Sequence, residues 1–325
     1  MGKVTKIEWT ATQAPDGSWI PGATFSPWHG CLKASAGCTN CYAETLSKRF
    51  GRDVWGPAKD ITDRHFFGEK HWEEPRKWNY VAGKAGIIRK VFCGSMCDVF
   101  EDAEIYTASG SNVLDSERRK LWQLVKDTPH LIWLFSTKRP ENMIRMTPDE
   151  WREKWPDNTW AITTTENQEE ADKRIPELLK VPSKVHGLSC EPLLGTLNLS
   201  DYLSQNGKVF HKGGYTDAVN WVIAGGESGA NARPMNIAWA RSLRDQCQAT
   251  STAFNFKQYG EWAPVHEDTP LPLSEAKKLR VMGKDGEILG TNDSTADAAA
   301  WIWRAGKAVA GRMLDGRTWD ESPAV

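Results

Sequence analysis

Short apolar runs rich in β-branched residues alternate with stretches of helical spacing from residue 87 onward. The runs are 87–93 (IIRKVFC), 130–136 (HLIWLFS), 159–165 (TWAITTT), 184–190 (KVHGLSC), 219–225 (VNWVIAG) and 253–259 (AFNFKQY). Helices are expected near Asp115–Lys126, from about Pro140, over Gln168–Leu179 and over Ile237–Cys247. Continuous apolar runs of this length suit strands buried on both faces, and their alternation with helices is the mark of βα units around a parallel sheet. With a first strand near the cysteines that follow residue 30, the pattern predicts an α/β fold: a partial or full (β/α) barrel of about six to seven parallel strands, with a doubly wound open sheet as the alternative.

The two ends read differently. Residues 1–30 are rich in Trp, Pro and Gly and read as irregular. Tyr42–Phe50 reads as a helix, and a charged helical stretch covers 60–80 and ends near Trp78. Residues 200–217 read as a polar insertion containing Gly213 and Gly214. Beyond residue 259 the βα rhythm stops. VMGKDGEILG (281–290) predicts a hairpin turning at Asp-Gly, and a helix is expected over Ser294–Ala308. The expected division is a barrel domain over 1–259 and a C-terminal extension over 260–325.

Composition narrows the function classes. Hydrophobic residues make up 40% of 325 residues, enough for a full core. The 41 basic and 42 acidic residues cancel, which removes any bulk electrostatic argument for nucleic-acid binding. No stretch has the length and apolarity of a membrane span, and the first residues lack a signal-peptide pattern, so a cytoplasmic protein is expected. Of 17 tryptophans, several stand in polar stretches (Trp72, Trp78, Trp151, Trp155) and are expected to cover helix–loop junctions.

The seven cysteines change the picture, because three are crowded into one loop, HGCLKASAGCTNCYAE. Cys31, Cys38 and Cys41 follow a C-x6-C-x2-C spacing. Soft thiolates at short spacing in a reducing compartment point to metal or redox chemistry rather than disulfides. Gly30 and Gly37 each precede a cysteine, where they allow a tight backbone. The helix starting at Tyr42 would turn its amides toward an anionic centre. Three ligands suit an iron–sulfur cluster with one open iron. A zinc ion would need a fourth ligand, from His29, Cys93 or Cys97. Cys190 and Cys247 read as core.

The predicted strand ends carry polar groups in register: Gly94, Ser95, Cys97 and Asp98; Thr137, Lys138 and Arg139; Glu166 and Asn167; Glu191; Gly225, Gly226, Glu227 and Ser228; Lys257 and Gln258. Catalytic groups of parallel barrels gather at these ends, so a polar pocket is expected there. The loop GGESGANARP (225–234) is not a phosphate-binding P-loop, since no G-K-[ST] follows; its Arg233 suits a phosphate or carboxylate.

The cysteine loop followed by a helix resembles the cluster loop of radical S-adenosylmethionine enzymes. It departs from their usual C-x3-C-x2-C in its first gap, and its aromatic residue, Tyr42, follows the last cysteine. The whole chain is similar to a phage-associated, uncharacterised three-cysteine-motif family. The matching stretches are KIEWT (6–10), GCLKASAGCTNCYAE (30–44), GSMCDVF (94–100), STKRPENM (136–143), SCEPLLG (189–195), WVIAGGESGANARPM (221–235), FKQYGEW (256–262) and LDGRTW (314–319).

That resemblance implies a [4Fe-4S] cluster on Cys31, Cys38 and Cys41 in residues 29–42, with S-adenosylmethionine on the open iron. Asp98 and Ser95 would take the methionyl amine, Lys138 or Arg139 its carboxylate, and Gly225 and Gly226 the adenosine. Glu166 and Glu227 would meet ribose hydroxyls or substrate donors. Cys97, Glu191 and Lys257 are the candidate catalytic groups; Cys97 reads as a hydrogen-atom donor, a fourth metal ligand or a buried small residue, and Glu191 also suits ribose hydroxyls or substrate donors. An electron donor is an implied partner. No substrate carries over from the family; its phage association motivates the expectation of a nucleobase, a modified nucleotide of phage DNA, or an amino-acid-like group attached to one. The rival from another class is a zinc-binding nucleic-acid-binding or adaptor protein without catalysis.

Overall fold

The computed structural model describes residues 4–14, 16–107, 109–211, 214–265, 279–283, 288–289 and 298–324. Seven strands form one parallel sheet: β1 (Ala23–Phe25), β2 (Arg89–Cys93), β3 (Leu131–Thr137), β4 (Thr159–Thr164), β5 (His186–Cys190), β6 (Trp221–Gly225) and β7 (Ala253–Gln258). Their order in the sheet is their order in the chain, with β1 and β7 at the edges. A doubly wound sheet reverses its strand order at a switch point; this one does not, so the fold is a half-barrel. The burial patterns of β3, β4 and β6, nearly continuous, are those of strands covered on both faces.

The expected helices are present with adjusted ends: α1 (Tyr42–Arg49), α2 (Glu69–Lys84), α3 (Val113–Lys126), α4 (Gln168–Leu178) and α5 (Ile237–Thr250). The charged helix expected over 60–80 begins later and runs further. Asp60 and Asp63 close a capping box on a single 3-10 turn, and the chain then extends before α2 starts. Pro140 opens only a 3-10 turn and the short helix Met143–Met146.

The chain folds into two compact units. The first comprises residues 1–164, 173–187 and 323–325, the second 165–172 and 188–322. In the first, Trp72, Trp78, Trp151 and Trp155 are all buried, which supports a structural role for the tryptophans of polar stretches. Lys90 breaks the apolar run of β2 yet is 2% exposed. Its ammonium lies over the Trp160 ring at 5.1 Å, and burial brings its pKa down to about 8.

His71 of α2 stacks on Phe67 and Phe25 at centroid distances of 4.1 and 4.6 Å, with Nε2 3.0 Å from the Ser26 carbonyl. Burial lowers its pKa to about 4. That value lies below the ordinary histidine value of about 6.5, so the folded chain binds fewer protons than the unfolded chain between the two. Stability is therefore expected to be full above that window and to fall by ~1–2 kcal/mol, allowing for partial exposure, as pH drops through it. Urea unfolding of the wild type and His71→Phe across the window checks this. A variant with the same pH slope as the wild type would show that His71 is not the source.

In the second unit, Lys208–His211 and Gly214–Asp217 form an antiparallel hairpin within the expected polar insertion, while Gly213 lies outside the described residues. Four further strands, Trp262–Pro264, Leu279–Gly283, Ile288–Leu289 and Ala298–Arg304, form an antiparallel sheet. The predicted hairpin is present as Val281 opposite Leu289 and Met282 opposite Ile288, its Asp-Gly turn lying outside the described residues. Of the helix expected over 294–308, only Lys307 and Ala308 are helical among the described residues. Residues 298–304 are the strand shared by two neighbours of this sheet, and a four-residue helix follows only at Lys307–Ala310. The alanine-rich composition favours a helix locally, but pairing along two edges outweighs it. Trp301 is 50% exposed and Ile302 2%, the alternation of a strand.

Candidate metal and cofactor site

The cysteine loop is fixed at both ends. Before it, Gly30 donates its amide to the Met96 carbonyl at 3.0 Å. Gly30 has φ +112°, and a Cβ there would meet the Val54 carbonyl oxygen at 2.3 Å, so only glycine fits. After the loop, Cys41 caps α1, and the Tyr42 hydroxyl donates to the Ser95 carbonyl at 2.8 Å. Ser95 stands beside Ser26, with hydroxyl oxygens 3.4 Å apart, so α1 is tied to the loop following β2.

Each of the three sulfurs faces N–H groups. Arg139 Nη1 lies 3.9 Å from Cys31 Sγ. The Ala34 amide donates to Cys38 Sγ at 3.5 Å. The Ala43 and Glu44 amides of the first turn of α1 act on Cys41 in the sense that favours a thiolate. Burial raises the pKa of both Cys31 and Cys41, and the Asp98 and Glu101 carboxylates add to the rise at Cys31. Without a metal, Cys31 and Cys41 are therefore neutral thiols, and a metal must displace their protons to bind them.

Among the described residues no three His, Cys, Asp or Glu side chains converge as ligands of a metal ion. His29 is buried against Phe67 and His65 at centroid distances of 4.8 and 5.9 Å, and its ring nitrogens have no hydrogen-bond partner among the described residues. A cluster differs from a single ion in taking its cysteines on separate irons. Three thiols on one loop, each supplied with N–H groups, are a donor set of the right chemistry for it.

Asp98 organises the ground beside Cys31. Its carboxylate accepts from the Thr137 hydroxyl at 2.7 Å, from the amides of Phe100 and Lys138 at 3.0 and 3.2 Å, and from Arg139 Nη1 at 2.9 Å. Arg139 Nη2 donates to the Leu32 carbonyl at 2.7 Å. Burial is the largest influence on the Arg139 charge and opposes it, but Asp98, Cys31 and Glu101 together outweigh it and raise the pKa. Lys138 is half-buried, and its charge acts on Cys41. Cys97 is 9% exposed; its backbone pairs with Gly30, and burial first, then the nearby Cys93 and Cys31, raises its thiol pKa.

Two buried residues that the sequence did not single out complete this region. Arg64 and Glu101 form an ion pair at 2.5 Å with side chains 1% exposed each. Glu101 Oε1 also accepts from the Leu32 amide, next to Cys31, at 2.8 Å. Arg64 donates to the carbonyls of Val54, Asp63 and Gly56. Nothing in the local sequence marks Arg64, which lies in an exposed-looking charged segment. Glu101 follows Asp98 closely enough to pass for another loop acid.

In the second unit the expected polar groups are drawn to one another. Lys257 Nζ lies 3.0 Å from Glu191 Oε1 and 3.1 Å from Oε2. Arg233 makes a two-point contact with Glu227, Nε at 2.9 Å and Nη2 at 2.6 Å, so Arg233 answers a carboxylate of its own loop. Glu166 is fully buried, and its carbonyl accepts from Leu194 at 2.8 Å. The close approach allowed by the two glycines is to the chain itself: a Cβ on Gly226 would lie 2.0 Å from the Tyr259 carbonyl oxygen, and one on Gly225 2.6 Å from Glu191 Oε1.

Two solved variants of spore photoproduct lyase are similar to this chain. A tyrosine-to-phenylalanine variant is 12% identical, with a TM-score of 0.38, over 93% of this chain and 72% of that one. A cysteine-to-serine variant is 13% identical, with a TM-score of 0.37, over 86% and 67%. No curated protein matches the chain. The family model described as protein of unknown function (DUF5131) matches residues 4–323, and the chain belongs to that family.

Proposed function

We propose that this chain is a radical S-adenosylmethionine enzyme, with Cys31, Cys38 and Cys41 as the ligands of a [4Fe-4S] cluster. The observation that carries the reading is the loop itself: three thiols only, each facing N–H groups, in the segment that follows β1 of a parallel half-barrel. Cys31, Cys38 and Cys41 would hold the cluster, which, once reduced by an external electron donor, would supply the one electron needed to cleave the carbon–sulfur bond of S-adenosylmethionine into methionine and a 5′-deoxyadenosyl radical.

The chain's own groups have these roles in the proposal. Lys138, beside Cys41, binds the methionyl carboxylate, and the Ser95 hydroxyl accepts from the amine. Asp98, whose oxygens already accept from Thr137, Phe100, Lys138 and Arg139, holds Arg139 in place. Glu166, Gly225, Gly226 and Glu227 are kept as candidate cofactor-binding groups, and Cys97, Glu191 and Lys257 as candidate catalytic groups. The proposed substrate is a nucleobase or modified nucleotide.

The test is anaerobic reconstitution with iron and sulfide, followed by dithionite and S-adenosylmethionine. The expected product is 5′-deoxyadenosine, formed only by the reconstituted protein. A protein that binds a cluster yet leaves S-adenosylmethionine intact is an electron carrier, and one that takes up a single zinc ion is the structural rival; either result overturns the proposal.

A further inference from the structure

The three sulfurs are not equivalent. The Ala34 amide donates to Cys38 Sγ and the Ala43 and Glu44 amides act on Cys41, whereas Cys31 faces a guanidinium, that of Arg139. Its placement is over-determined. Arg139 Nη1 is shared between Cys31 Sγ at 3.9 Å and Asp98 Oδ2 at 2.9 Å, while Nη2 holds the Leu32 carbonyl at 2.7 Å. The Arg139 amide donates to Thr137 Oγ1 at 2.9 Å, and that hydroxyl donates to Asp98 Oδ1. The side chains of Arg139 and Asp98 are 13% and 8% exposed, so water screens the pair little.

Resting on the proposed function, we propose that Arg139 sets the reduction potential of the cluster by donating to the sulfur of Cys31. The sign follows from charge. Adding an electron makes the cluster and its thiolates more negative, and a cationic N–H at a ligating sulfur stabilises that state over the oxidised one. Arg139 therefore raises the potential and makes the cluster easier to reduce. Without it, the Asp98 carboxylate stands uncompensated beside Cys31 and acts in the opposite direction. This is a tuning role, distinct from holding the methionyl carboxylate, which the proposal leaves to Lys138.

The experiment is a redox titration of the reconstituted wild type, Arg139→Gln and Arg139→Lys, with dithionite as reductant and no S-adenosylmethionine, read by the spectrum of the reduced cluster. Iron content is measured on each sample. Arg139→Gln is expected to lower the reduced-to-oxidised ratio at a fixed solution potential about tenfold, which is about 59 mV for one electron. Arg139→Lys keeps the charge but cannot keep both contacts of the planar fork, and is expected to fall between the two. Native iron content with an unchanged midpoint overturns the role of Arg139 and leaves the proposed function standing. Should Arg139→Gln assemble no cluster, Arg139→Lys carries the test, and an unchanged midpoint there has the same meaning. A wild type that takes up no cluster overturns the proposed function instead.

Discussion

Replacing Cys31, Cys38 and Cys41 together by alanine is expected to abolish cluster binding while leaving the fold intact. Reconstituted wild type should carry about four irons per chain and be brown; the triple variant should carry almost none and be colourless. The fold should survive because all three thiols are only partly buried, and the loop is held by contacts that do not use them. Those contacts are the Gly30 amide to Met96, the Tyr42 hydroxyl to Ser95 and the Leu32 amide to Glu101. Iron analysis and far-ultraviolet circular dichroism on the same samples decide it. Iron retained by the triple variant would move the ligand set to Cys93, Cys97, Cys190 or Cys247, all of which are buried.

The second large effect is expected at Glu101. Its carboxylate is the counter-charge of Arg64 and also accepts from the amide that follows Cys31. Removing one member of a buried ion pair leaves the other charged and desolvated, so Glu101→Leu is expected to cost about 3–5 kcal/mol in urea unfolding. Arg64→Met should cost a similar amount. The double variant should cost clearly less than the sum of the two, because the stranded charge is then gone. Losses below about 1 kcal/mol in both single variants would place the pair with ordinary surface ion pairs and remove its claim to hold the loop. Glu101→Leu should also weaken iron uptake, since the Leu32 amide loses its acceptor next to the first cysteine.

These two regions show where sequence reading reaches and where it stops. Residue type and local period alone located the strands of the parallel sheet from residue 87 onward, the helix at Tyr42 and the three thiols. A strand buried on both faces must be continuously apolar, and a thiolate ligand must be a cysteine; both constraints are written at single positions and short spacings. The first strand, Ala23–Phe25, is three residues long and stands in a segment that reads as irregular, too short for any period to show. The helix expected over 294–308 failed for a different reason. Residues 298–304 are strand because they pair with residues 262–264 and 279–283, partners that local composition does not reveal.

The same limit explains the site. That Asp98, Thr137, Lys138 and Arg139 follow neighbouring strands came from the βα rhythm. That Asp98 turns its oxygens to the other three, and that Arg139 consequently leans on the sulfur of Cys31, depends on distances across about 40 to 108 residues of chain. Arg64 and Glu101 were invisible for that reason, being 37 residues apart and meaningful only once burial forces each charge to find the other. The sequence by itself determined the main elements, their alternation and the three crowded thiols, because these obey local rules. Only the tertiary structure decided which charges are partners and which sulfur faces the guanidinium, because electrostatic pairing in a dry interior is set by distance in space.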